Sequence, residues 1–208
     1  MKTYGSLLRG IVHCSMYSVQ DKFISLNWGS NSNIKNARHF HEAWLYPFIF
    51  EHASSHEDIK PKYFTMDESL KFNQSPNKKE YDLTIYKSRT SFEGRKDAPV
   101  AFCEIKGPKN LVNKNGKSVN KKGLLTQMEN DRKKLHSLKQ RLPKTAMIVI
   151  GIAWGTEQHM KYWEDNIWQD YCNNLPTPWK RVSGGTVISL GNNENCEPEF
   201  LKTFAIER

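Results

Sequence analysis

Apolar positions divide this chain into short strands and longer two-faced helices. Ala146-Met147-Ile148-Val149-Ile150-Gly151-Ile152-Ala153 is apolar at every step, the pattern of a central parallel strand buried on both faces. Pro99-Val100-Ala101-Phe102-Cys103 starts the same way but runs into Glu104-Ile105-Lys106. In an extended chain Glu104 and Lys106 project from the same face. Tyr81 to Tyr86 alternates, with Asp82, Thr84 and Tyr86 on one face and Leu83 and Ile85 on the other. From Leu124 to Leu142, Leu124, Met128, Leu135 and Leu138 make one helical stripe, with Lys133, Lys134 and Lys139 outside it. Glu157 to Cys172 predicts an aromatic-rich helix carrying Trp163, Trp168 and Tyr171.

The remaining pattern is weaker. Leu7 to Met16 predicts a short helix, and Lys22 to Trp28 alternates like a short strand. Ala37 to Phe50 predicts a helix with Phe40, Ala43, Trp44 and Phe48 on its apolar side, Asn36 as N-cap and Pro47 kinking or ending it. Lys62 to Thr65 and Leu70 to Phe72 predict strands around an acidic turn. Basic polar loops are expected from Lys87 to Asp97 and from Gly107 to Gly123, and late strands from Thr186 to Leu190 and Phe200 to Ile206. This order predicts an α/β fold, a mixed central β-sheet flanked by helices. At 208 residues, a single domain spanning 1–208 is expected.

Composition narrows the class. No apolar run is long enough to cross a membrane, and the N-terminal apolar stretch is too short for a secretory signal. Cys14, Cys103, Cys172 and Cys196 are scattered with no CxxC pair, so neither a disulfide framework nor a zinc site is suggested and a cytoplasmic location is expected. Net charge is +9, and between Lys87 and Gly123 ten Lys/Arg face three acids. The surplus therefore flanks the Glu104 strand, where it would attract a polyanion such as nucleic acid, although a solvated basic loop gives the same count.

The chemistry gathers at that strand. If the Asp82 strand and the Glu104 strand pair as a hairpin, Asp82, Glu104 and Lys106 meet at one end of the sheet. Two carboxylates and the Ile105 carbonyl would form a hard-oxygen site for Mg²⁺, with Mn²⁺ as a substitute. Such an ion polarises a phosphoryl oxygen and lowers the pKa of bound water, and Lys106 would assist the attacking water. Alone, Glu104 and Lys106 read equally well as a strand-end ion pair of little consequence.

Asp82 followed by Glu104-Ile105-Lys106 resembles the signature of the PD-(D/E)XK, or restriction-endonuclease-like, nuclease superfamily. The resemblance covers about residues 37–153 and implies an αβββαβ core. The expected core starts with a helix bearing Glu42, continues through the catalytic hairpin, and ends with the helix of Gln127 and the strand from Met147. It implies a metal-dependent nuclease hydrolysing phosphodiester bonds, with DNA as substrate, an endonuclease of restriction, repair or defence type. Asp82 and Glu104 would hold the ion, Lys106 would be catalytic, and Glu42 and Gln127 would support them, with Glu51 as the competing acid. Lys109, Lys114, Lys117, Lys121 and Lys122 are expected to contact phosphates. Cutting both strands often uses two active sites, so a homodimer is an expectation. Two positions depart from the family pattern: Tyr81 stands where proline is common before the aspartate, and Asp131 stands four residues after Gln127 where some members carry an aromatic. Two alternatives stay open, a catalytically silent nucleic-acid-binding subunit and an RNA-cleaving enzyme. His52-x₃-His56 and His39-x-His41 lack the HExxH pattern and read as surface histidines, and Trp154, Trp163, Trp168 and Trp179 read as core more readily than as base-stacking groups.

Overall fold

The computed structural model describes residues 3–25, 45–59, 62–70, 79–93, 99–111, 123–139, 142–183, 187–192 and 197–208. Helix α1 (Tyr4–Ser25) is followed by α2 (Tyr46–Ser55), β1 (Tyr63–Leu70), β2 (Lys79–Tyr86) and the short α3 (Arg89–Glu93). Then come β3 (Ala101–Asn110), α4 (Gly123–Lys139) and β4 (Ala146–Thr156). The chain ends with α5 (Glu157–Tyr162), a π-helical turn (Trp163–Trp168), α6 (Gln169–Asn173), β5 (Lys180–Arg181), β6 (Val187–Asn192) and β7 (Pro198–Glu207). Seven strands form one mixed sheet in the order β1-β2-β3-β4-β7-β5, with β6 also paired to β7. β1, β2 and β3 are antiparallel neighbours, β4 lies parallel to β3, and β7 returns antiparallel to β4. The fold is thus mixed α/β with helices on both faces of the sheet, as the sequence pattern predicts.

Each face has its own core. Leu83, Ile85, Cys103, Ile105, Ile148, Ile150 and Ile152 face α1 and α2, which contribute Leu8, Ile11, Val12, Met16, Ile49 and Ala53. Phe102, Met147, Val149, Ala153, Phe204 and Ile206 face α4 and the 157–173 helical segment, which contribute Leu124, Met128, Leu135, Leu138, Trp163 and Trp168. The unbroken apolar run of β4 follows from this: both of its faces are covered, and Met147 to Ile150 have no exposed surface. The opposite parities of β3 feed different cores until Glu104 and Lys106, where the α4-side parity turns from apolar to charged.

Several weaker expectations are corrected. Residues 22–25 continue α1 as helix instead of starting a strand. Over so short a stretch, period 2 and period 3.6 both fit, and here the backbone continues the helix begun at Tyr4. Pro47 begins α2 and does not end it, because a first-turn proline lacks only an N–H that the helix leaves unpaired anyway. The expected acidic turn is the middle of β1, paired with β2 from Tyr63–Tyr86 to Leu70–Lys79. The 87–97 loop contains α3. β3 runs past Lys106 to Asn110, with its pairing to β4 shifting register between Lys106 and Lys109. Gly107 sits in that shift at φ +112, and a Cβ there would collide with the Ile152 carbonyl oxygen. The expected helix over 37–44, with Asn36 and Glu42, lies outside the described residues, as does His39-x-His41.

Candidate metal and catalytic site

The hairpin between β2 and β3 is short. Its ladder pairs Ile85 with Ala101, Thr84 with Phe102 and Leu83 with Cys103. Beyond Cys103 the side chain of Asp82 takes over from the backbone: its Oδ2 accepts the Ile105 N–H at 2.6 Å. That bond fixes Asp82 beside Glu104 and aims its carboxylate along the strand end. Lys106, two residues on, brings its ammonium back into the same space.

Four oxygens surround that ammonium. Lys106 Nζ lies 3.1 Å from the Ile105 carbonyl, 3.4 Å from Asp82 Oδ2, 3.7 Å from Glu104 Oε2 and 3.5 Å from Asp131 Oδ2. Asp82, Glu104, the Ile105 carbonyl and Lys106, which the sequence pattern groups together, therefore do converge. The fourth oxygen comes from α4. Helix α4 approaches closely because Gly151, the β4 partner of Lys106, leaves room for Met128 and Leu124. One turn after Asp131, Lys134 Nζ donates to Glu104 Oε1 at 2.6 Å and stands over the Tyr81 ring at 4.7 Å from its centre. Both departures from the family pattern, Tyr81 and Asp131, thus belong to the site.

Among the described residues, three carboxylates face two ammonium groups, an excess of one negative charge in a largely buried place. The Glu104 side chain is only 1% exposed. Burial, reinforced by the Asp82 charge, pushes its carboxyl up from 4.5 to about 8, although Lys134 pulls the other way. Burial also raises Asp131, against the opposing pull of Lys106 and Lys134. The site resolves its surplus charge by favouring a bound proton. A divalent cation would resolve it instead with charge to spare for a phosphodiester.

The donors are hard oxygens of the kind Mg²⁺ takes. Asp131 Oδ2 is buried without a hydrogen bond, and so is Gln127 Oε1 one helical turn earlier. As the side chains stand, no group of three or more His, Cys, Asp or Glu among the described residues is arranged to hold a metal ion, and the Lys106 ammonium lies among the three carboxylates. The residues present fit a divalent ion once that ammonium turns aside. Asp82, Glu104 and the Ile105 carbonyl would then hold it.

The other expected residues are placed as follows. Gln127 lies half-buried on α4, and Lys109 lies half-buried on β3 beyond the register shift. Lys114, Lys117, Lys121 and Lys122 lie outside the described residues, as does Glu42. Glu51 is exposed on α2, across the sheet from the carboxylates. His52 and His56 line a cavity of about 630 Å³ with Cys14, and His52 Nε2 also meets Ser18 Oγ at 2.9 Å. Trp154, Trp163, Trp168 and Trp179 are all buried, as core residues should be. Sequence reasoning missed Asp131 and Lys134 as site members. The available signal was their spacing with Gln127, at i, i+4 and i+7 on one face of α4. No protein-family model, no curated protein and no solved structure matches the chain.

Proposed function

We propose that this chain is a metal-dependent nuclease with a restriction-endonuclease-like core, hydrolysing phosphodiester bonds in DNA. One observation carries the reading: the Lys106 ammonium sits among Asp82, Glu104, Asp131 and the Ile105 carbonyl, at the end of the β2–β3 hairpin. The chain order helix, three antiparallel strands, helix, parallel strand supports it. So does the net charge of +9, since a buried acidic cluster needs a basic surround before a polyanion can approach.

A bound Mg²⁺ supplies Lewis acidity toward a phosphoryl oxygen and a water acidic enough to attack. The protein's own part is positioning and charge. Ile105 N–H holds Asp82, and Lys134 holds Glu104 Oε1 and opposes, without overcoming, the burial that favours a proton on Glu104. Lys106 orients the attacking oxygen and stabilises the negative charge that grows on phosphorus-bound oxygens. Lys109 and the lysines at 114, 117, 121 and 122 would steer and hold the phosphate backbone.

The same ion network also suits a second reading, a silent nucleic-acid-binding subunit in which Lys106 and Lys134 simply neutralise buried acids. Incubation of the purified chain with plasmid, single-stranded DNA and RNA separates the readings. The nuclease reading expects cleavage with Mg²⁺ or Mn²⁺ and none with chelator. Retardation of nucleic acid without cleavage in either metal supports the silent subunit, and cleavage of RNA alone corrects the substrate.

A further inference from the structure

Resting on that nuclease reading, we infer that Asp131 is the positioning partner of Lys106, taking its ammonium when a divalent cation takes Asp82 and Glu104. Lys106 Nζ stands between Asp82 Oδ2 and Glu104 Oε2, so an ion that takes those two oxygens displaces the ammonium from them. Lys106 must then be held by contacts other than those two oxygens if it is to stay where it would meet the attacking oxygen. Asp131 is already there. Its Oδ2 is 3.5 Å from Lys106 Nζ, is buried, and is not taken up by a close hydrogen bond, so it can accept a shorter one from that ammonium. It also comes from a different element. Asp82, Glu104 and Ile105 belong to the β2–β3 hairpin, whereas Asp131 approaches from α4, so an ion held by the hairpin oxygens would leave the helix carboxylate to the lysine.

The arrangement gives each lysine a division of labour. Lys134 stays with Glu104 through the 2.6 Å bond to Oε1, leaving Oε2 for the ion. Lys106 gives up Asp82 and Glu104 and keeps Asp131. The ion's presence, and not the fold alone, then determines which acid the lysine answers to.

The test uses the full-length protein and its Asp131→Asn and Asp131→Glu variants, with calorimetric titration of Mg²⁺ and Mn²⁺ and pulse amine labelling of Lys106 read by mass spectrometry. Without metal, Lys106 in Asp131→Asn should label as slowly as in the wild type, because Asp82 and Glu104 still hold it. With saturating Mg²⁺, labelling in Asp131→Asn should rise about 10-fold over the wild type, the loss expected for a charge-assisted hydrogen bond. Mg²⁺ affinity should change little, kcat on plasmid should fall about 10- to 100-fold with KM nearly constant, and Asp131→Glu should recover part of it. Loss of Mg²⁺ binding in Asp131→Asn would overturn the proposal by making Asp131 a ligand, and equal labelling of the two proteins in Mg²⁺ would overturn it by leaving Lys106 elsewhere. A wild type that binds the ion but cuts nothing defeats the nuclease reading alone, since the labelling comparison still decides the role of Asp131.

Discussion

At the scale of single residues, the site is governed by the cost of burying charge. A carboxylate as enclosed as Glu104 is tolerated only because Lys134 and Lys106 touch both of its oxygens. Its pKa still rises to about 8, and the direction has a consequence for stability. A group whose folded-state pKa lies above its unfolded value stabilises the fold in its protonated form, most fully below the unfolded value. Without metal, that contribution should fade as pH climbs from about 5 to about 8. The Tm of the metal-free wild type should therefore decline over this window more steeply than that of Glu104→Gln, whose neutral amide does not titrate. Parallel curves from differential scanning fluorimetry would show that Glu104 is not charge-strained. Adding Mg²⁺ should stabilise the wild type increasingly as pH rises, because the ion binds the carboxylate and not the acid.

At the scale of elements, two glycines set how closely the parts meet. Gly107 takes φ +112 where β3 shifts register directly after Lys106, and its missing Cβ makes room for the Ile152 carbonyl. Gly107→Ala should destabilise the fold by about 2 kcal/mol or more, measured by denaturant titration, and a change under about 0.5 kcal/mol would show that β3 bends without it. Gly151 lets α4 lie against β4 beside Met128 and Leu124. Gly151→Leu should lift α4, destabilising by about 1–3 kcal/mol and separating Asp131 and Lys134 from β3. Met128→Ala in the same chain should relieve part of that loss, a coupling that a double-mutant cycle reads directly. This level was also the least legible from sequence. β4, the Glu104 strand and the α4 stripe were readable because burial on one or both faces writes an unambiguous apolar period. The end of α1 and the middle of β1 were not: Lys22 to Ser25 fit two periods, and the acidic Asp67-Glu68 stretch reads as a turn although β2 pairs with it on either side. Asp82, Glu104 and Lys106 could be grouped because they share a hairpin. Asp131 and Lys134 could not, because a helix sequence shows which face is apolar but not which strand meets its polar edge.

At the scale of the whole molecule, the sheet separates two helical layers, and the charged cluster lies on the α4 side while the Cys14–His52–His56 cavity lies on the α1–α2 side. No helix among the described residues is long and apolar enough to cross a membrane. A chain of net charge +9 with a buried acidic site should bind nucleic acid with strong salt dependence. If about six phosphates are contacted, affinity should drop by about 10³-fold between ~50 and ~200 mM salt, as read by fluorescence anisotropy. A flat salt dependence would mean that the basic surface serves another purpose. The central claim is that Asp82, Glu104 and Lys106 form a metal-dependent hydrolytic site. It is tested most directly by single-turnover plasmid cleavage in Mg²⁺, comparing the wild type with Lys106→Ala. Cleavage should be abolished by chelator and slowed by about 10²-fold or more in the variant. Cleavage that survives the chelator, equal rates in the two proteins, or no cleavage in Mg²⁺ or Mn²⁺ would contradict it.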